Sequence, residues 1–177
     1  ALHYLGLVCH QSGRHAEACR HLGAAVQLAP GLAFLRANHA EVLRAAGNLE
    51  AAEAEARAAL ALDPAQAAAE FNLAAILTER QRHAEALEHV LRALAARTDW
   101  VEALGLGANI CIALEERARA QELLARAREL QPESPGLLLA SHHVARLCGD
   151  TLYGFFGHFA GAAPKEFIVN GPQLVFF

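Results

Sequence analysis

Three prolines set the period of this chain. Pro30 and Pro64 stand 34 residues apart, and Pro132 lies two further periods on, with Thr98 in the intervening position. A fixed period of this length marks an array of one small unit, whose copies bury one another's apolar faces. The other columns agree. Leu5-Gly6 stands over Leu73-Ala74, with His39-Ala40 and Gly107-Ala108 as weaker copies. Cys9, Leu43, Leu77 and Cys111 share a column. So do Ala18, Ala52, Ala86 and Ala120, then Leu22, Ala56, Val90 and Leu124, then Ala25, Ala59, Ala93 and Ala127. Gly13 and Gly47 share a turn column that becomes Gln81 and Glu115 in the later copies.

This pattern resembles the tetratricopeptide repeat, a helix–turn–helix unit. Leu5-Gly6 and Cys9 stand where that family has Leu-Gly and then Tyr. Gly13, Ala18, Leu22, Ala25 and Pro30 stand where it has Gly, Ala, an aromatic, Ala and Pro. The resemblance covers residues 1–132 in four copies without insertion or deletion. The family's Trp near each repeat start is missing. It implies an all-α, right-handed superhelical array of four and a half repeats over residues 1–149. The copies fall at about 1–32, 33–66, 67–100 and 101–134, with a final helix at 135–148. First helices are expected near 1–11, 32–45, 65–79 and 100–113, and second helices near 14–28, 48–62, 82–96 and 116–130. Asp63-Pro64 with Gln66, and Asp99 with Glu102, read as capping boxes at helix starts. Ser134-Pro135 reads as another start, and Gly149 as a stop. Residue 1 falls at the third position of a repeat, from which more of the protein is expected to precede it.

Residues 150–177 depart from the array. They hold six of the eight phenylalanines, the chain's only lysine (Lys165) and no arginine. Phe167-Ile168-Val169 and Leu174 to Phe177 flank Asn170-Gly171-Pro172, a strand–turn–strand pattern. Either an irregular tail or the opening of a second domain fits this segment.

Composition narrows the function. Fourteen arginines are scattered among 19 acidic residues, for a net charge of −4, which argues against nucleic acid. No apolar run reaches the roughly 20 residues of a membrane span, and no signal peptide is visible. The four cysteines form no C-x-x-C pair. Small buried thiols explain Cys9 and Cys111, and a reducing, cytoplasmic setting suits them. Of ten histidines, His3, His10, His15, His21, His39, His83 and His89 are spread over separate helices, and the adjacent His142 and His143 point in different directions. His15 and Cys19 have metal-compatible spacing but no third ligand. The expectation is no catalytic residue, no metal and no cofactor.

What remains is a surface. In the family resembled, first helices line a concave face that takes partner peptides. Position six of the repeat points there, and it holds Tyr4, Asn38, Asn72 and Leu106. Asn38 over Asn72 resembles the asparagine ladder of the repeat arms of O-linked N-acetylglucosamine transferases. A side-chain amide offers donors and an acceptor to a peptide backbone without demanding a sequence. Phe34, Glu41, Arg44, Phe71, Thr78, Glu79, Asn109 and His143 are the neighbouring groove positions. The lysine clamp of chaperone-adaptor repeats is not expected, because His3, Ala37 and Phe71 stand where its first lysine would be. The resemblance implies a protein-interaction scaffold that binds extended segments. The alternative is the substrate-recruiting arm of a larger bacterial enzyme of glycosyltransferase or sulfotransferase type.

Overall fold

The computed structural model describes residues 1–147, without the side chains of His142 and Leu147. Gly149, Cys148 and the strand–turn–strand read over 167–177 lie outside the described residues, as does any opening of a second domain. The described residues form nine helices and no strand. They are α1 (Leu2–Gln11), α2 (His15–Leu28), α3 (Ala33–Ala45), α4 (Leu49–Leu62), α5 (Ala67–Glu79), α6 (His83–Ala96), α7 (Val101–Ala113), α8 (Arg117–Leu130) and α9 (Pro135–Leu147). Each odd helix packs antiparallel on the next even one, and each even helix packs on the following odd one. The result is an open helical-repeat array, the all-α architecture expected.

One turn recurs four times inside the repeats. Gly13, Gly47, Gln81 and Glu115 all have positive φ, between +61° and +80°. The Gly13 N–H donates to the His10 carbonyl and the Arg14 N–H to the Cys9 carbonyl, both at 2.9 Å. The same pair of bonds closes the turns at Gly47, Gln81 and Glu115. This crossed pairing caps the helix C-terminus and needs a left-handed residue. Two copies meet that need with side chains that disfavour it, at about 1–2 kcal/mol each.

The turns between repeats correct one expectation. Asp63 and Asp99 do not start helices. The N-caps of α5 and α7 are Gln66 and Trp100, and neither side chain bonds to the helix. Asp63 instead ends α4, and the Gln66 N–H donates to its carbonyl at 3.2 Å. Its carboxylate accepts from the Ala65 N–H at 3.1 Å. Asp at the first and Pro at the second position are the preferences of a β-turn. The Leu32 N–H to Ala29 carbonyl bond and the Ser134 N–H to Gln131 carbonyl bond, both 3.3 Å, place Pro30 and Pro132 the same way. The periodic proline is therefore a turn residue, three positions before its helix. Pro135, by contrast, is the first residue of α9, as read from the sequence.

The core is made of the aligned columns. Ala18, Ala52, Ala86 and Ala120 are fully buried, as are Ala40, Ala74 and Ala108. Gly6 fills the last column's first position because a Cβ there would lie 2.7 Å from Leu22 Cγ. An ion-pair cluster adds to the junction of the second and third repeats. The Glu53 carboxylate accepts from Arg57 at 3.0 Å and Arg82 at 2.8 Å, with Arg80 3.0 Å away. Arg57 and Arg82 also donate to Glu85. Burial on its own raises the Glu53 carboxyl. The hydrogen bonds and charge of Arg57 and Arg82 outweigh it and hold the group below its ordinary value. Glu85 is held down by Arg57 first and then Arg82.

Two outcomes follow from these turns and charges. Gln81→Gly and Glu115→Gly should each stabilise the array by up to about 1 kcal/mol, read as a rise in denaturation midpoint. A fall in midpoint would mean that the side chains, not φ, decide these turns. For the cluster, lowered carboxyl pKa values give stability that is present above the unfolded-state value and lost as pH falls through the folded one. The double variant Glu53→Gln, Glu85→Gln should melt below the parent at pH 7, and the gap should close as pH drops below about 4. A gap unchanged by acid would rule out this charge linkage.

Candidate functional site

The first helices line one side of the array. α1 touches α3, α3 touches α5 and α5 touches α7, whereas the second helices make no comparable contact with one another. The side on which successive helices meet is the inner one. The groove residues read from the sequence lie on these helices.

At α1 and α3 an aromatic–amide patch lies open to solvent. The Asn38 Nδ2 lies 2.7 Å from His3 Nε2, 35 residues back. The His3 ring meets Phe34 edge-on at 5.4 Å and Tyr4 at 5.1 Å. Tyr4 is 72% and Phe34 44% exposed, so the bond is flanked by two open aromatic faces. Glu41 beside it is half-buried, with His10 3.7 Å from its carboxylate.

Asn72 is placed differently from the sequence expectation of a ladder projecting into the groove. It is 6% exposed, and its Nδ2 donates to the Ala37 carbonyl at 2.9 Å, again 35 residues back. The two asparagines thus repeat one geometry, an amide reaching to the preceding repeat. In Asn72 the amide nitrogen is committed to holding α5 on α3. Arg44 and Glu79 are likewise joined, at 2.6 Å, across the same two helices. The Thr78 hydroxyl donates to the Ala74 carbonyl at 2.7 Å within its own helix. Asn109 is exposed on α7, His143 is exposed on α9, and Leu106 is half-buried.

Phe71 does not stand alone as an anchor. Its ring lies 4.6 Å from the ring of Trp100, over which the Arg97 guanidinium sits at 4.4 Å. The sequence reading put Trp100 at the start of a first helix and did not count it among the groove residues; it is the N-cap of α7. That reading also missed a buried polar group behind α5. Glu70 Oε2 lies 2.5 Å from His89 Nδ1, and the Arg92 Nε lies 3.1 Å from the other carboxylate oxygen. Such a group, once buried, costs most when one member is removed.

The pair His15 and Cys19 gains no third ligand. His15 instead meets His10, Nδ1 to Nδ1, at 3.2 Å. Burial pushes the Cys19 thiol up, and it pushes Cys111 up with help from Glu116, so both behave as small neutral core groups. A different set of ligand atoms comes together across α1 and α2: Cys9, Glu17 and His21.

No protein-family model and no curated protein matches the sequence. Solved structures do. MamA (residues 41 to the end) from Desulfovibrio magneticus RS-1 is 19% identical, with a TM-score of 0.77 over 90% of this chain and 89% of that one. PilF of Pseudomonas aeruginosa is 23% identical, with a TM-score of 0.78 over 93% of this chain and 76% of that one. The first tetratricopeptide repeat domain of Spaghetti (RPAP3), solved with an HSP90 peptide, is 16% identical. Its TM-score is 0.64 over 66% of this chain and 93% of that one. The fold is that of tetratricopeptide repeat proteins. None of the helices among the described residues is long and apolar enough to cross a membrane.

The geometry separates the two asparagines experimentally. Asn72→Ala should cost about 1 kcal/mol of stability, the usual worth of one internal hydrogen bond. Asn38→Ala should cost less, because its amide is half-exposed to water. Chemical denaturation of the two single variants checks this. An equal and negligible cost would mean that the Asn72 bond to Ala37 holds nothing.

Proposed function

We propose that the chain is a protein-interaction scaffold that takes an extended peptide segment along the inner face of its first helices. The observation that carries this reading is the patch of Tyr4, His3, Phe34 and Asn38. Two exposed aromatic faces flank a half-exposed amide on adjacent repeats. Aromatic faces of this kind give a peptide apolar contact at small entropic cost, and the amide offers backbone-type hydrogen bonding. Glu41 beside the patch and Asn109 further along provide further polar contacts. Phe71, stacked on Trp100, forms a second apolar station. Asn72, Arg44 and Thr78 take part through the shape they hold, since the Asn72 amide nitrogen, one Arg44 guanidinium nitrogen and the Thr78 hydroxyl already bond within the chain.

The structural neighbour bound to an HSP90 peptide supports peptide binding as a use of this fold. The same mode of recognition does not carry over. Residues 1–147 contain no lysine, and His3, Ala37 and Phe71 occupy the positions at which a carboxylate clamp would begin. The partner fitted here is an uncapped, internal stretch of extended chain, not an acidic C-terminus. The enzyme-arm reading rests on the resemblance of Asn38 over Asn72 to the repeat arms of transferases and on residues 150–177, which lie outside the described residues.

Selection of displayed random peptides on the intact chain tests the proposal. Enriched peptides should lose at least about tenfold in affinity, roughly 1.4 kcal/mol, on the double change Phe34→Ala, Asn38→Ala. The helical circular dichroism of the double variant should match the parent. Peptides that bind it undiminished would place the binding surface elsewhere.

A further inference from the structure

We propose that α1 and α2 form a binding site for a divalent ion of the zinc class, held by the Cys9 thiolate, the Glu17 carboxylate and the His21 imidazole. Glu17 and His21 are one turn apart on α2, so their side chains leave the same side of the helix. Cys9 faces them from α1. One ligand atom from each residue lies within 4.8 Å of the other two. Bond lengths of about 2.0–2.3 Å put the ligands of a tetrahedral zinc roughly 3.5 Å apart, so a small rotamer adjustment closes the set. A thiolate with an imidazole and one carboxylate selects zinc over magnesium or calcium, which want all-oxygen shells. Three protein ligands leave the fourth position for water or for an atom of a bound partner.

The surroundings suit this use. Cys9 is 1% exposed among Ala18, Leu22 and Val42, while Glu17 and His21 are only half-buried. The sulfur is thus fixed by packing, and the ion reaches it past the other two ligands. Binding converts the thiol to thiolate, with its proton released to solvent as the metal–sulfur bond forms. Arg14 holds one oxygen of Glu17 at 3.3 Å, which leaves the second oxygen for the ion.

The array carries its own controls. The equivalent positions are Leu43, Ala51 and Glu55 in the second copy and Leu77, Glu85 and His89 in the third. They are Cys111, Arg119 and Leu123 in the fourth. The third copy keeps the carboxylate and imidazole but has Leu for the thiol, and its His89 turns to Glu70. The fourth keeps the thiol but faces it with Arg and Leu. Only the first copy assembles all three ligands, and it does so in residues that sequence spacing alone keeps apart. Spacing along one helix pointed to His15 with Cys19, on another side of α2.

Titration of the reduced, metal-free full chain with cobalt(II) gives the test, because a thiolate–cobalt bond has a charge-transfer band in the near ultraviolet. One equivalent should produce that band, and zinc should displace it. Cys9→Ser should abolish the band. His21→Ala and Glu17→Gln, which touch half-buried positions, should each remove stoichiometric binding while the helical signal stays. The double change His10→Ala, His15→Ala should leave the band in place. No band in the parent chain would overturn the proposal. A band that survives Cys9→Ser or His21→Ala, or one that disappears with His10 and His15, would do the same.

Discussion

Close approach of helix backbones at the alanine columns is the constraint on which the rest of the structure depends. A single methyl at Ala18, Ala52, Ala86 and Ala120 lets each second helix nest against its neighbours, and these residues have no exposed surface. At Gly6 not even a methyl fits against Leu22. Larger groups at such sites force backbone shifts that cost about 1–3 kcal/mol. Because the helices sit this close, an asparagine amide can span from α5 to the Ala37 carbonyl on α3. The same closeness lets Arg57 reach Glu85 on the next repeat. The polar contacts are consequences of the stacking and would not form at a wider spacing.

Stacking also covers a second column, on the first helices. Val8, Val42, Ile76, Ile110 and Val144 share one column. The last four have no exposed surface, because the second helix of the preceding repeat covers each of them. Val8 is 53% exposed. In an assembly whose energy is a sum of repeat and nearest-neighbour terms, each such contact adds to the hold of one copy on the next. The first repeat carries the cluster of Cys9, Glu17 and His21 and, through His3 and Tyr4, one side of the aromatic–amide patch. An ion joining α1 to α2 would tie those two helices together next to the face proposed for partners.

The architecture was legible because the 34-residue period speaks through many columns at once. Every helix falls within two residues of its expected ends. The turn column was also legible, since Gly13 and Gly47 announce the left-handed residue that Gln81 and Glu115 must copy. Local signals with two meanings were not. Asp-Pro fits both a helix start and a β-turn, and the turn wins because Asp63 bonds to Ala65 and Gln66 before α5 begins. Asn72 reads as a groove residue from its position, but burial depends on how far α3 leans toward α5, which no column encodes. The stack of Phe71 on Trp100 and the meeting of Cys9 with Glu17 and His21 join separate elements. Their distances come from packing angles, not from spacing.

Residue-resolved native-state hydrogen exchange tests most directly whether neighbouring repeats hold each copy in place. In the variant Ala86→Leu, whose added bulk wedges α6 from its neighbours, amides should exchange faster than in the parent in α4 and α7 as well as in α5 and α6. Faster exchange confined to α5 and α6 would contradict the account, because it would show that each helical hairpin is stable without the stacking on which its neighbours depend.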